Sequence, residues 1–277
     1  MKSFDSIESL PEDSIKSIQN NLLVETVRYA YQNSTYYKRK FDNIRLNPDE
    51  ITGIKDLEKL PLTDRRDIQG DNAAFFAIGK SDIAEIVSTT GTTGNPIFIS
   101  LTNNDLDRLA RNEERSFAYT GANKDDLFHI AVTCDNLFIA GIAYYSGLMR
   151  TGASVVRIGP QNIIRHLDLI KKLRPTGIVA VPSFLTHLVG RATDSGIDVK
   201  SFGLKKLVLI GDSIRDVDFK NNSLGQAIED YFGDICFSTY GITEAQVSFC
   251  ECSMRQGLHS HPDFVTEIGR ASCRERV

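Results

Sequence analysis

From residue 85 onward, short β-branched runs alternate with stretches of helical spacing, and that alternation leaves few architectures open. The strand-like runs cover 85–88, 97–101, 127–133, 154–158, 177–181, 207–210 and 235–239. Between most of them apolar residues recur at three- and four-residue steps: Leu106, Leu109, Ala110 and Phe117, then Ile163, Ile164, Leu167 and Ile170, then Phe184, Leu185, Leu188 and Val189. The runs 177–181 and 207–210 are apolar throughout, as strands covered on both faces must be. Repeated strand–helix–strand units predict an α/β fold with a mixed, largely parallel open sheet flanked by helices. Ligands of such sheets sit in loops at the carboxyl ends of strands. The sequence holds no internal repeat and no low-complexity tract.

Residues 1–80 read differently, as a helical segment packed on the main domain. Ile15, Ile18, Leu22, Leu23 and Val27 form one apolar stripe behind the acidic pair Glu12 and Asp13. Ser34 or Thr35 is placed to cap a shorter helix carrying Tyr36, Tyr37 and Phe41, and Thr63 or Asp64 to cap another after the break at 60–62. This region lacks catalytic spacing and reads as a packing layer or a homodimer surface. The expected division is 1–80 helical segment, 81–268 α/β core, and 269–277 a non-native tail, because the last nine residues carry three arginines and no apolar period.

Lys and Arg number 32 against 36 Asp and Glu, so no basic excess points to nucleic acid or an anionic membrane surface. The uncharged stretch 136–149 is broken by Gly141 and Gly147 and falls short of the ~20 residues of a membrane helix. The first residues contain no apolar core of a secretory signal, and five scattered cysteines favour reduced thiols over a disulfide framework. These features predict a soluble cytoplasmic protein.

Three constellations carry chemistry. The first is Ser88-Thr89-Thr90-Gly91-Thr92-Thr93-Gly94-Asn95-Pro96, lying between two strand-like runs. Glycines let successive N–H groups face inward as an anion cradle, and hydroxyls add neutral donors for phosphate oxygens. The Gly-Lys-Ser/Thr ending of a P-loop is absent, and a Thr-rich hairpin turn explains the composition equally. The second is Tyr240-Gly241-Ile242-Thr243-Glu244, directly after the run 235–239. Tyr240 offers a flat face for a ring, Thr243 a hydroxyl and Glu244 a carboxylate suited to Mg²⁺; the start of a capped helix is the alternative. The third is Cys250 with Cys252 and His259 with His261, each pair on one face if extended. A turn at 253–257 would let them converge on Zn²⁺; reduced thiols beside surface histidines are the alternative.

The first two constellations in this order resemble the acyl-adenylate-forming (AMP-binding) superfamily, and within it the phenylacetate–CoA ligase branch. Tyr36-Tyr37-Lys38, Leu60-Pro61-Leu62-Thr63-Asp64-Arg65, Gly211-Asp212-Ser213-Ile214-Arg215, Glu251-Cys252, Gly257-Leu258-His259 and Asp263-Phe264 extend the resemblance over residues 10–268. It implies ATP-dependent adenylation of a small carboxylic acid, then transfer to coenzyme A. Ser88, Thr89, Thr90, Gly91, Thr92, Thr93 and Gly94 would cradle the phosphates, and Gly211, Asp212, Ser213, Tyr240 and Gly241 would surround the adenine of ATP or AMP. Thr243 and Glu244 would act catalytically, Glu244 through Mg²⁺, and 133–141 falls where the family builds its acyl pocket. The chain departs from the family at Asn95, where a lysine is usual, and ends before the family's ribose-binding Asp and its lid with the adenylation Lys. The resemblance therefore reads as a truncated N-terminal domain with impaired turnover. A nucleotide- or acyl-binding module without catalysis, or transfer to a carrier protein, are the other functions considered.

Overall fold

A computed structural model describes residues 7–89, 96–160 and 162–266. It divides into two compact units, one of Met1–Asp105 with His261–Glu267, the other of Leu106–Ser260 with Ile268–Val277.

In the first unit, helix α1 spans Glu12–Asn33 and α2 spans Thr35–Asn43. The Ser34 side chain accepts from the Tyr37 N–H at 3.4 Å and donates to the Ala74 carbonyl at 2.9 Å, so it caps α2 and ties it to the next segment. Val27, Phe41 and Ile51 make the small core, with Leu23, Tyr31, Tyr37, Leu46 and Leu60 packed around it. Helix α3, Arg65–Gly70, starts with a capping box in which Asp64 and Asp67 each accept the other's backbone N–H. The unit also holds an antiparallel hairpin, β1 (Glu85–Ser88) with β2 (Phe98–Leu101). The strand-like runs 85–88 and 97–101, expected in the α/β core, thus belong to the same unit as the N-terminal helices.

Helix α4, Asn103–Tyr119, leads into the second unit. The order there is β3 (Leu127–Ile130), α5 (Ile139–Thr151), β4 (Ser154–Arg157), α6 (Ile163–Leu173), β5 (Gly177–Ala180), α7 (Pro182–Asp194), β6 (Lys206–Leu209), α8 (Ser223–Phe232), β7 (Cys236–Ile242), β8 (Val247–Glu251) and β9 (Leu258–His259). The sheet order is β4-β3-β5-β6-β7-β8-β9, parallel from β4 to β7 and antiparallel from β7 to β9. Alternation along each strand divides the core. Ile178, Ala180, Leu207 and Leu209 face α6, α7 and α8, while Phe128, Ile130, Val179 and Val208 face Phe117 of α4 and Tyr144 and Leu148 of α5. The sheet is therefore covered on both sides, as the sequence predicts.

Candidate functional site

In the second unit the chain leaves β3 for α5 on one face of the sheet and leaves β5 for α7 on the other. Connections diverging to opposite faces make the carboxyl ends of β3 and β5 a topological switch point, the place where open α/β sheets take their ligands. The loop 131–138 leaves β3 there. Its Asn136 and Leu137 both have left-handed backbone, at φ 56° and 61°, a conformation that costs energy for residues with a side chain and gathers at functional sites. A Cβ on Gly141 would come within 2.0 Å of the Thr133 carbonyl oxygen, so α5 begins pressed against this loop.

Further along the same edge, β7 outruns its neighbour. It pairs with β6 through 236–238 and continues alone beside β8, carrying Tyr240, Gly241 and Ile242 past the end of β6. The strand expected to end at 239 thus runs on to Ile242, and 243–246 is a hairpin turn closed by Gln246 N–H to the Thr243 carbonyl at 3.2 Å. It is not the start of a helix, because Val247–Glu251 pairs back along β7. The Tyr240 ring is 56% exposed and stacks on Phe249. Glu244 is exposed on the turn and Thr243 is half-buried.

Beside Tyr240, at the end of β6, lies the excursion 210–222. Gly211 (φ 95°), Asp212 and Ser213 are exposed, while Ile214 is fully buried. A flat exposed ring next to a glycine whose backbone a partner can approach closely suits a planar heterocycle. For Mg²⁺ the fit is narrower. Among the described residues no three His, Cys, Asp or Glu side chains gather to hold a metal, so Glu244 would share the ion with phosphate oxygens and water.

In the first unit, Ser88 ends β1 and pairs with Phe98. The Thr89 hydroxyl accepts from Ile97 N–H at 3.1 Å and from Arg65 Nη2 at 3.2 Å. It therefore closes the neck of the hairpin, and Arg65 brings a positive charge to the loop's base. Thr90, Gly91, Thr92, Thr93, Gly94 and Asn95 lie outside the described residues. Arg65 was legible in sequence only as part of the segment after Pro61; nothing in its spacing announced the contact with Thr89.

The cysteine and histidine pairs do not assemble a zinc site among the described residues. Cys250 is buried on β8, and burial raises its thiol pKa. Cys252 lies past the strand's end, where its Sγ accepts from Met254 N–H at 3.4 Å. His259 is exposed on β9 and stacks on Tyr119. In the first unit, His261 is buried with Nδ1 2.7 Å from Glu8 Oε1. The physical reason is strand length: β8 ends at Glu251 and β9 at His259, so the alternation needed to align each pair stops before its second member.

Comparison with known proteins bears on the family and the fold. The chain is 28% identical over 250 residues to the phenylacetate-coenzyme A ligase of Escherichia coli K12, covering 87% of this chain and 54% of that protein. It is 30% identical over 203 residues to the ligase of the same name from Aromatoleum evansii, covering 73% and 46%. The chain thus spans about half the length of the curated relatives it matches. Among solved structures, 2-hydroxyisobutyryl-CoA ligase in complex with 2-HIB-AMP and CoA superposes with a TM-score of 0.81 at 20% identity over 90% of this chain and 54% of that one, a likeness of fold. The sequence profile of the AMP-binding enzymes matches residues 22–275, and the chain belongs to that family.

Proposed function

We propose that this chain takes part in ATP-dependent activation of a carboxylic acid and its transfer to coenzyme A. The observation that carries the reading is the carboxyl edge of the sheet, where the exposed Tyr240 ring and the Gly211–Asp212–Ser213 backbone stand at the ends of adjacent strands. The relatives named phenylacetate-coenzyme A ligase support the reaction class and make an aryl or acyl acid the substrate to test first.

In this reading a carboxylate oxygen attacks the α-phosphorus of ATP, pyrophosphate leaves, and the thiol sulfur of coenzyme A then displaces AMP from the acyl carbon. Two anions must meet in the first step, so the site has to supply donors and positive charge. The segment 88–94 serves the phosphates, with Arg65 at its base. Gly211, Asp212, Ser213, Tyr240 and Gly241 serve the adenine. Thr243 and Glu244 act on the phosphates, Glu244 through Mg²⁺. The segment 133–141, which runs from the strained loop into the first turn of α5, takes the acid.

The test is a screen of aryl, alkanoic and hydroxy acids for release of pyrophosphate from ATP by the full-length protein with Mg²⁺ present. Acid-dependent release is expected for at least one class. No release with any acid, from a chain that also fails to bind ATP, would overturn the proposal.

A further inference from the structure

Behind the exposed stretch 211–213 the excursion is held by one buried arginine. Arg215 Nε and Nη2 reach the two carboxylate oxygens of Glu251 at 3.2 and 3.4 Å. Nη1 reaches Glu229 Oε1 on α8 at 3.2 Å, and Nη2 also reaches the Cys236 carbonyl at 3.4 Å. The Arg215 and Glu251 side chains are 9% and 2% exposed. Glu251 also holds the neighbouring strand. Its Oε2 accepts the backbone N–H of Ser238 at 2.8 Å, and two residues later that strand presents Tyr240. Glu229 is fixed in turn by Asn221 Nδ2 at 2.6 Å, from the far limb of the excursion. Ile214 is wedged against α8, where a Cβ on Gly225 would come within 2.2 Å of its carbonyl oxygen.

A buried ion pair is a poor device for stability, since apolar residues of similar volume pack as well or better. What a guanidinium held by a carboxylate fork, a second carboxylate and a carbonyl provides is a single orientation. Here one carboxylate, Glu251, anchors both the loop and the strand that carries the aromatic ring. We infer that Arg215, through Glu251, is a positioning residue that sets the spacing between the 211–213 backbone and Tyr240, and so the affinity for the base of the nucleotide. This rests on the proposed function above.

The test measures the affinity of the chain for ATP and for inorganic tripolyphosphate in wild type, in Arg215→Lys, and in Arg215→Met combined with Glu251→Gln. The lysine keeps the charge and loses the fork. The paired variant leaves no unmatched charge at 251 and keeps an acceptor for Ser238. Expected is a loss of about tenfold for ATP in both variants, the size of about one well-made polar contact, with tripolyphosphate affinity unchanged. ATP affinity equal to wild type, or equal losses for ATP and tripolyphosphate, would overturn the inference while leaving the proposed function standing. A wild-type chain that binds no ATP removes that function and this inference with it.

Discussion

Glu113 sits on α4 with its carboxyl shut away from water; Oε1 accepts the Ser248 hydroxyl at 2.6 Å, and Oε2 has no hydrogen-bond partner among the described residues. Burial raises its pKa from 4.5 to about 7, against the opposing pull of the Ser248 bond. A raised acid favours folding below its unfolded pKa and loses that contribution as pH rises through the folded one. Stability should therefore fall between about pH 4.5 and 7, by roughly 3 kcal/mol in all. Glu113→Gln should abolish that decline, as read from denaturant midpoints across the range; a decline unchanged in the variant would assign it elsewhere. His129 works in the opposite sense. Its Nε2 lies 2.7 Å from His166 Nδ1 in the core, and burial together with that neighbour lowers its pKa to about 4. A depressed histidine contributes stability above its unfolded pKa near 6.5 and loses it as pH falls through 4. His129→Gln should weaken this acid limb, checked by thermal unfolding between pH 6.5 and 4.

Among the elements, β8 depends on a side chain to complete its pairing. Beyond the reach of the two-residue β9, the Ser248 backbone meets the Asn112 amide instead, with N–H to Oδ1 at 2.7 Å and Nδ2 to the carbonyl at 3.0 Å. Asn112 thus stands in for a neighbouring strand. Asn112→Ala leaves two buried backbone groups unpaired and should cost about 2–4 kcal/mol; a loss below about 0.5 kcal/mol in equilibrium unfolding would show that water replaces the amide. Such a pairing joins residues far apart in sequence, and no local pattern announces it. The same is true of Arg215 with Glu251 and of His129 with His166. What periodicity does reveal is each element's own face: the stripe Ile163, Leu167 and Ile170 on α6, or the unbroken apolar run of β5. Helix α8 escapes that reading because Asn221, Asn222 and Gly225 carry turn chemistry at its start, although Leu224, Ile228 and Phe232 keep the helical step. The extension of β7 through Tyr240 and Gly241 was equally hidden, since a glycine in a strand signals a break until its partner strand is known.

For the molecule as a whole, the doubly covered sheet and the membership of the AMP-binding enzymes were both foreshadowed by the order of motifs along the chain. Among the described residues no helix is long and apolar enough to cross a membrane. The nucleotide-site candidates of the second unit stand at the ends of β6 and β7 on one edge of its sheet, and the hairpin turn that ends β7 presents Glu244. The claim that this edge handles the metal-bound phosphates of ATP is tested most directly by titrating ATP into the wild type and Glu244→Gln, each with and without Mg²⁺. Glutamine keeps the size and removes the charge. The expected result is ATP affinity that falls about tenfold in the variant with Mg²⁺ present and is unchanged without it. An equal loss with and without the metal, or no loss in either, would contradict it.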